Sequence, residues 1–233
     1  MSVFVITGAS TGVGRACALH FAEQGHSVCI LARSRQKLEQ VQQQAPDKIH
    51  AYPTNVTDNN QVLTALQNIE KEHGRVDVLI NNAGVVPNPD TPWDGETVDR
   101  VIDTNLKGTM YCTYAALPIM KKNRHGTIFN IASISGVDIS ESGNDGMYAA
   151  SKYGVVAFAD SVGRVVRKDG ILITTLCPGG IDTPLWNEKN PYPFDKKEMI
   201  RPEEIAELID YILKQPRRII FKNVIFVPTV EKW

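Results

Sequence analysis

The stretch TGASTGVG, residues 7–14, lies between an apolar run and a segment with helical periodicity. Glycine permits tight turns and a close approach of the main chain to a bound group, and the N-terminus of a helix favours an anion. A glycine triplet alone is weak evidence, but this one lies at the first strand-to-helix turn, where a βαβ unit would place it. Gly8, Gly12 and Gly14, spaced as GxxxGxG, therefore predict a turn that approaches a pyrophosphate group.

Short apolar runs recur on the C-terminal side of that turn as well as before it. They occupy residues 3–7, 28–32, 49–54, 76–81, 127–132, 171–177 and 223–228. Segments with helical periodicity separate them, such as GRACALHFAEQG and DNNQVLTALQNIEKEHG. Continuously apolar strands that alternate with helices are typical of a parallel sheet covered on both faces. We therefore predict an α/β protein with a single-domain, doubly wound Rossmann fold over residues 1–233, whose parallel sheet has about seven strands and helices on both faces.

Composition and charge argue against several classes of function. The 233 residues carry a formal net charge of -1, so the chain lacks the excess positive charge that is typical of nucleic-acid-binding proteins. The four cysteines form no CxxC pair and the five histidines form no HExxH motif, so we expect neither a disulfide framework nor a metal site. No run approaches the roughly 20 apolar residues that a membrane span requires. We expect a cytoplasmic protein without a nucleic-acid or membrane partner.

Two irregular segments, around residues 85–95 and 184–202, are rich in proline, asparagine and charge. Each follows a strand, and ligands of doubly wound sheets bind at the carboxyl ends of the strands. We interpret both segments as substrate loops, with a surface loop of no functional role as the alternative. Trp93, Trp186 and Tyr192 within them could form an apolar substrate pocket.

A tyrosine and a lysine lie four residues apart in the stretch GNDGMYAASKYG. A phenol in water has a pKa of about 10, so it is a poor acid or base at neutral pH unless a nearby cation favours its phenolate form. The alanines and the apolar run that follow Tyr148 predict a helix, and residues four apart share one face of a helix. Lys152 is therefore placed to act on Tyr148.

Five further motifs follow TGASTGVG in order along the chain. They are NNAG at 81–84, NLKG at 105–108, NIASISG at 130–136, YAASK at 148–152 and PGGIDT at 178–183. Together these motifs resemble those of the short-chain dehydrogenase/reductase family, and they span nearly the whole chain. The resemblance implies an oxidoreductase that interconverts a carbonyl and an alcohol of a small molecule by hydride transfer with a nicotinamide cofactor. It also implies a homodimer or homotetramer.

The same resemblance assigns four catalytic roles. Tyr148 would transfer a proton to or from the substrate oxygen, and Lys152 would favour its phenolate form and hold the nicotinamide ribose. Asn105 would support a water-mediated proton path to the lysine. The serine that hydrogen-bonds the substrate oxygen matches Ser133, whereas counting back from Tyr148 selects Ser135. We favour Ser133, because a loop absorbs an insertion more easily than a strand does.

The resemblance also implies a set of cofactor-binding positions. Residues 82–84 would pack along the adenine ribose. Asn55 stands where many members have an aspartate beside the adenine, and an amide can still accept that hydrogen bond. The full set is Gly8, Ser10, Thr11, Gly12, Val13, Gly14, Arg33, Ser34, Asn55, Val56, Asn82, Ala83, Gly84, Tyr148, Lys152, Pro178, Gly179, Ile181 and Thr183.

The end of the second strand indicates which nicotinamide cofactor is used. An acidic side chain there would accept hydrogen bonds from the ribose hydroxyls of NAD and repel a 2′-phosphate. This chain has Ala32 followed by Arg33 and Ser34, which could grip a 2′-phosphate, with assistance from Arg35 or Lys37. We predict NADP(H) in preference to NAD(H), with a basic helix start that faces solvent as the alternative.

Two other functions stay open from the sequence alone. One is reduction of 3-oxoacyl groups on acyl carrier protein, for which the basic stretches KKNRH and RVVRK could supply a docking surface. Both stretches lie at expected helix ends, where cations also suit the helix dipole. The C-terminal segment FKNVIFVPTVEKW also differs from the glycine-rich end of that group. The other function, of a different class, is a non-catalytic NADP-sensing protein.

Overall fold

Seven parallel strands form one sheet in the order β3-β2-β1-β4-β5-β6-β7. The structure is a computed structural model and describes residues 1–87, 94–138, 146–188, 191 and 193–231. The strands are β1 Val3–Thr7, β2 Ser27–Ala32, β3 Ile49–Pro53, β4 Val78–Asn81, β5 Gly126–Ile131, β6 Ile171–Pro178 and β7 Asn223–Phe226. All seven predicted strands are present, and their ends differ from the predicted ones by no more than two residues.

Helices connect the strands. They are α1 Gly12–Glu23, α2 Arg35–Gln42, α3 Asn59–His73, α4 Gly95–Ile102, α5 Gly108–Asn123, α6 Gly146–Val166 and α7 Pro202–Leu213. A π-helical turn, Asp103–Lys107, joins α4 to α5, and short 3₁₀ turns cover Ile134–Gly136, Arg167–Asp169 and Lys196–Glu198. The predicted single-domain, doubly wound α/β fold is therefore confirmed.

Two layers of helices bury the two faces of the sheet. On one face α3, α5 and α6 pack against β1 and β6 through side chains such as Leu66, Ile119 and Ile173. On the other face α1, α2 and α7 pack against the sheet, and Phe4 of β1 stacks on Phe21 of α1 with ring centroids 4.3 Å apart. Burial on both faces explains why the strands read as continuous apolar runs in the sequence.

Polar side chains appear where the central strands end. Asn81 of β4, Asn130 of β5 and Thr175 of β6 are register partners across neighbouring strands, and all three are buried. The Asn81 amide donates to Asn130 Oδ1 at 2.9 Å and to Thr113 Oγ1 of α5 at 3.0 Å. These bonds tie the carboxyl ends of β4 and β5 to the helix that covers them.

The strand order reverses between β1 and β4. From β1 the chain proceeds outward through β2 to β3, and it then returns to place β4 on the opposite side of β1. α1, which follows β1, packs on one face of the sheet and α5, which follows β4, packs on the other, and we refer to the carboxyl edge of the sheet between them as the crevice. Ligands of doubly wound folds bind at such a switch point.

Candidate active site

The glycine-rich turn after β1 has a main-chain conformation that requires glycine. Gly8 and Gly12 have φ values of 65° and 54°, in the left-handed region. A Cβ atom on Gly8 would lie 2.8 Å from Ala83 Cα, and one on Gly14 would lie 2.6 Å from Asn82 Nδ2. The turn is thus pressed against the segment that follows β4, and α1 begins directly at Gly12.

Hydrogen bonds join these two segments across the crevice. Thr7 Oγ1 accepts from the main-chain N–H groups of Asn82 and Ala83, each at 3.0 Å. The Asn82 amide donates to the carbonyl oxygens of Thr7 and Gly8 at 3.0 and 3.2 Å. Thr7 was not among the predicted site residues, although it begins the quoted motif. No local pattern points to this role of Thr7, because its partners lie 75 and 76 residues away.

Asn105 lies in the π-helical turn and is 1% exposed. Its Oδ1 accepts from Val85 N at 2.8 Å, and its Nδ2 donates to Val85 O at 2.9 Å and to Ser151 Oγ at 3.1 Å. Ser151 in turn donates to the carbonyl oxygen of Tyr148 at 2.6 Å. Asn105 therefore connects the segment after β4 to the first turn of α6. Ser151, which the sequence reasoning missed, is the link between them.

Lys152 is a buried cation at the carboxyl end of β5. Its Nζ donates to the carbonyl oxygen of Ile131, the last residue of β5, at 3.0 Å. A Cβ atom on Gly84 would lie 3.6 Å from the same nitrogen. Burial lowers the pKa of Lys152 from its ordinary 10.5 to about 8. The protein therefore holds an amino group whose pKa is close to neutral pH at the crevice, where the pattern YxxxK predicts a lysine.

Tyr148 and Lys152 share one face of α6, as their spacing predicts. The Lys152 Nζ lies 5.6 Å from the centroid of the Tyr148 ring. Tyr148 is half-buried, whereas Tyr153, five residues further along the same helix, is exposed. The structure thus brings the phenol and the amino group together at the mouth of the crevice.

Ser133 lies two residues after the end of β5 and is buried, as is Ser135. Ser133 Oγ accepts from Ser135 N at 3.1 Å and begins the 3₁₀ turn Ile134–Gly136. A Cβ atom on Gly136 would lie 2.9 Å from the Lys152 main chain, so this turn packs on α6 beside the lysine. Residues 139–145, where the predicted loop insertion falls, lie outside the described residues. The choice between the two serines stays a prediction.

The positions expected beside the adenine have local roles of their own. Asn55 Oδ1 accepts from Thr57 N at 3.3 Å, which uses one of its two acceptor sites. The Val56 side chain is buried against α5, since a Cβ atom on Gly108 would lie 2.9 Å from Val56 Cγ2. Any contact of Val56 with a cofactor would therefore fall to its main chain.

Arg33 is the first residue after β2, and it is exposed. The end of β2 lies beside the glycine-rich turn, because Ala9 N donates to Leu31 O at 3.3 Å. Ser34 caps α2, its Oγ accepting from Lys37 N at 3.3 Å, and the same hydroxyl can still donate its proton to a ligand. Arg35 is paired with Glu39 along α2 at 3.9 Å. Of Arg33, Arg35 and Lys37, Arg33 is therefore the closest in sequence to Leu31, the β2 residue that contacts the glycine-rich turn.

The segment after β6 folds back over the glycine-rich turn. A Cβ atom on Gly12 would lie 3.1 Å from Thr183 Cγ2, so Thr183 covers the beginning of α1. Ile181 forms a parallel bridge with Ile200, and Asp182 N donates to Ile200 O at 2.9 Å. This pairing closes the base of the 184–202 excursion. Pro178 and residues 179–183 therefore form one wall of the crevice.

Of the three aromatic residues predicted to line a substrate pocket, Trp186 belongs to the described residues. Trp186 is half-buried, and its main-chain N–H donates to Thr183 O at 3.1 Å, which places it at the start of the second loop. Trp93 and Tyr192 lie outside the described residues, as do residues 88–93 of the first loop. The predicted aromatic pocket stays a prediction.

Two classes of site find no support in the described part of the chain. Residues 1–87, 94–138, 146–188, 191 and 193–231 bring no group of three or more His, Cys, Asp or Glu side chains together as a metal site. Within the same ranges, no helix is both long enough and apolar enough to span a bilayer.

Comparison with known proteins agrees with this geometry. The model of the family described as short chain dehydrogenase matches residues 2–193. An uncharacterized oxidoreductase of Staphylococcus aureus (strain USA300) is 33% identical over 228 residues, which cover 97% of this chain and 96% of that protein.

Two solved structures illustrate the likeness of the fold. A 3-ketoacyl-(acyl-carrier-protein) reductase from Brucella melitensis, complexed with NADH, is 25% identical, with a TM-score of 0.89 over 98% of this chain and 97% of that one. A metagenomic short-chain oxidoreductase in complex with NADP is 26% identical, with a TM-score of 0.83 over 99% and 98% of the two chains. From the family match and the relative aligned along nearly its whole length, we conclude that this protein is an oxidoreductase that belongs to the short-chain dehydrogenase family.

Proposed function

We propose that this protein is an NADP(H)-dependent oxidoreductase that interconverts a carbonyl and an alcohol, with Tyr148 as the acid or base. One observation carries the proposal: the buried Lys152 Nζ lies 5.6 Å from the Tyr148 ring centroid and is fixed by a 3.0 Å bond to Ile131 O. A cation held beside a phenol favours the phenolate form, which a proton-transfer catalyst at neutral pH requires.

The residues of the crevice fit a dinucleotide cofactor. Gly8 and Gly14 let the glycine-rich turn pack directly on Ala83 and Asn82, which sets the turn and the start of α1 at the carboxyl ends of β1 and β4. The amides at the start of α1 favour a pyrophosphate, residues 82–84 would follow the ribose, and residues 178–183 would lie against the nicotinamide. When bound, the nicotinamide supplies or accepts the hydride at the reacting carbon.

The chain's own residues would handle the proton and the substrate oxygen. In reduction Tyr148 donates its hydroxyl proton to the carbonyl oxygen as the carbon gains a hydride, so that an alcohol forms; in oxidation it takes that proton back. Ser133 donates a hydrogen bond to the same oxygen and orients it. Lys152 has a pKa of about 8, so it is mostly protonated at pH 7 and stabilises the phenolate that remains. Asn105 would support return of a proton through water.

The preference for NADP(H) rests on charge at the end of β2. Arg33 is exposed and follows Ala32, where a carboxylate would otherwise select NAD. A guanidinium can form charge-assisted, bidentate hydrogen bonds with a 2′-phosphate. The NADP complex of the metagenomic relative agrees with this choice, and the NADH complex of the Brucella reductase shows that the fold accepts both cofactors.

Reduction of 3-oxoacyl groups on acyl carrier protein is the second candidate, because the Brucella protein is such a reductase. Two basic side chains that could have met an acidic carrier are already paired. Lys121 lies 3.6 Å from Asp169, and Lys122 lies 3.0 Å from Glu70. These pairs reduce the positive field of that surface, so we favour a small-molecule carbonyl substrate.

Replacement of Tyr148 by Phe tests the proposal. Consumption of NADPH with ketones, aldehydes, diketones, quinones and a 3-oxoacyl thioester should fall by about 100-fold or more in Tyr148→Phe, because the phenolic proton is lost. Tyr153→Phe, on the exposed side of the same helix, should keep wild-type rates. Equal rates in wild type and Tyr148→Phe would overturn the assignment. Binding of NADPH by a wild-type protein that turns over none of these compounds would favour the sensing function instead.

Location and assembly follow from the family alone, and we propose them on that basis. We expect a cytoplasmic homodimer or homotetramer. Tyr114 of α5 and Val165 of α6 are exposed apolar side chains on neighbouring helices, which supports association through that layer. Light scattering coupled to size-exclusion chromatography measures the number of subunits.

A further inference from the structure

The turn that follows β6 is held by the C-terminal end of the chain. Gly180 N donates to Glu231 Oε1 at 2.7 Å, across 51 residues of sequence. Gly179 N donates to Phe226 O at 2.9 Å, which extends the pairing of β6 with β7. The Glu231 main chain closes a turn of its own by donating to Pro228 O at 3.0 Å. Glu231 is therefore carried on a short C-terminal turn that is anchored directly after β7.

The contact is tight as well as directional. A Cβ atom on Gly179 would collide with the Glu231 carboxylate and would lie 2.9 Å from Pro228 Cδ. No side chain larger than hydrogen can therefore stand at Gly179 while the C-terminal turn keeps its place. The absence of a side chain at this position lets the carboxylate reach the next amide.

The opposite side of the same turn belongs to the second loop. Gly180 O accepts from Ile200 N at 3.0 Å, and Asp182 N donates to Ile200 O at 2.9 Å. Gly180 thus receives a hydrogen bond from the base of the 184–202 excursion and gives one to Glu231. Three residues later Thr183 lies over Gly12 at the start of α1.

The Glu231 carboxylate is partly buried at this contact. Burial raises the pKa of Glu231 above its ordinary value, and the Gly180 hydrogen bond lowers it by less than that rise. Burial therefore disfavours the charged form of Glu231, and the Gly180 hydrogen bond favours it. The charged acceptor does form a stronger hydrogen bond to the Gly180 amide.

We propose that Glu231 is a positioning residue, which fixes residues 178–183 against the cofactor by holding the Gly180 amide from the C-terminal turn. This role rests on the proposed cofactor site, because its benefit is the placement of the wall that would face the nicotinamide. Glu231 acts through the main chain of Gly180.

Substitution of Glu231 separates positioning from general stability. Glu231→Ala should raise both the KM and the directly measured Kd for NADPH by about tenfold, since one hydrogen bond to a charged group is lost. Glu231→Gln keeps an acceptor oxygen for Gly180 N and should recover most of that loss. Glu207→Ala, an exposed glutamate of α7, is the control and should match the wild type. Wild-type kinetic constants in Glu231→Ala, or an equal loss in Glu231→Gln, would overturn the proposal.

A pair of truncations tests the same point without an internal substitution. A chain ending at Glu231 keeps the carboxylate, and a chain ending at Val230 lacks it. We expect the first to bind NADPH as the full chain does and the second to bind about tenfold more weakly. Equal affinities of the two chains for NADPH would show that the Glu231 carboxylate does not position the cofactor site.

A readout without cofactor distinguishes failure of this proposal from failure of the proposed function. In protein labelled with ¹⁵N-glycine, which contains 17 glycines, the Gly180 amide should exchange with solvent faster in Glu231→Ala than in wild type. A wild-type protein that binds neither NADPH nor NADH would overturn the proposed function, while the exchange rate would still show whether Glu231 holds the turn. Unchanged exchange would overturn the positioning role whatever the activity.

Discussion

The side-chain amide of Asn105 hydrogen-bonds both main-chain groups of Val85, accepting from its N–H at 2.8 Å and donating to its C=O at 2.9 Å. This is the pairing that a neighbouring β-strand would give to Val85. Here a single side chain in the π-helical turn provides it, and the same amide reaches Ser151 of α6 at 3.1 Å. The first residues after NNAG are thereby held against the helix that carries Tyr148 and Lys152.

Asn105→Ala should therefore destabilise the whole domain. Three hydrogen bonds of a buried side chain are lost and the Val85 N–H and C=O are left without that partner, so we expect the free energy of unfolding to fall by about 2–4 kcal/mol. Urea unfolding followed by circular dichroism measures this. Asn60→Ala, at an exposed position of α3, should change stability by less than about 0.5 kcal/mol. Similar losses in the two variants would contradict the structural role of Asn105.

Gly8 and Gly25 provide a matched pair for the glycine-rich turn. Both have positive φ, 65° and 83°, but a Cβ atom on Gly25 would meet nothing within 4 Å, whereas one on Gly8 would lie 2.8 Å from Ala83 Cα. Gly25→Ala should cost only the left-handed conformation, about 1–2 kcal/mol. Gly8→Ala should cost more in urea unfolding, and it alone should weaken NADPH binding. Equal costs with intact binding would show that the two segments can move apart freely.

Lys152 makes stability depend on pH in a defined direction. Its pKa in the folded protein is about 8, against an ordinary value of 10.5, so between these values the unfolded chain binds more protons than the folded one. Wild-type stability should therefore rise with pH across that window and be lowest, for this group, where the buried lysine is charged. Lys152→Met removes the buried charge. The variant should be inactive yet more stable than wild type near pH 7, by about 1–3 kcal/mol, and this gain should shrink as the pH rises above 8.

Thermal and urea unfolding of wild type and Lys152→Met between pH 7 and 10 measure this difference. Lys168→Met, at an exposed position, is the control and should show no such trend. A gain in stability for Lys152→Met that does not vary with pH would mean that the lysine's charge is not the cause.

The sequence predicted the features that local patterns encode. The seven strands are continuous apolar runs because both faces of the sheet are buried, and the pairing of Tyr148 with Lys152 follows from the helical repeat. What the sequence could not predict are contacts between distant residues. The bond from Gly180 to Glu231 spans 51 residues, and neither residue belongs to a pattern that points to the other.

The hydrogen bonds that side chains form at turns and helix ends could not be predicted either. Ser34 was predicted to grip a phosphate, and the structure shows that its oxygen also caps α2. A serine before a helix serves either purpose, and the sequence alone does not tell which one occupies the oxygen. Ser151 lay inside the motif YAASK without a signal of its own, because its importance comes from Asn105 on another element.

Ser133 and Ser135 form a second matched pair. Ser133 Oγ accepts the Ser135 N–H two residues after the end of β5, and its own proton can be donated to a substrate oxygen. Ser133→Ala should therefore lower kcat by about 10- to 100-fold, and Ser135→Ala should lower it far less. Steady-state kinetics with the best substrate of the panel measure both. The reverse order would assign the substrate contact to Ser135 and place the loop insertion elsewhere.

Arg33→Ala tests the choice of cofactor. Arg33 is exposed at the end of β2 beside the glycine-rich turn. The 2′-phosphate is the only group that NADPH has and NADH lacks, so a contact of Arg33 with this phosphate would affect NADPH alone. We expect the KM for NADPH to rise by about 10- to 100-fold, since a charge-assisted pair is lost, while the KM for NADH stays nearly unchanged. Lys71→Ala, at an exposed position of α3 that has no predicted role at the cofactor site, is the control and should matter little for either cofactor.

The salt dependence of the KM for NADPH gives a second, independent measure of the same contact. An exposed guanidinium and a phosphate attract each other less as ionic strength rises, so the KM of the wild type for NADPH should increase between 0.05 and 0.5 M salt, roughly over the range in which screening becomes strong. Arg33→Ala should show a shallower increase. Equal losses for NADPH and NADH in Arg33→Ala, or the same salt dependence as wild type, would remove Arg33 from the 2′-phosphate site and leave Arg35 or Lys37 as the alternatives.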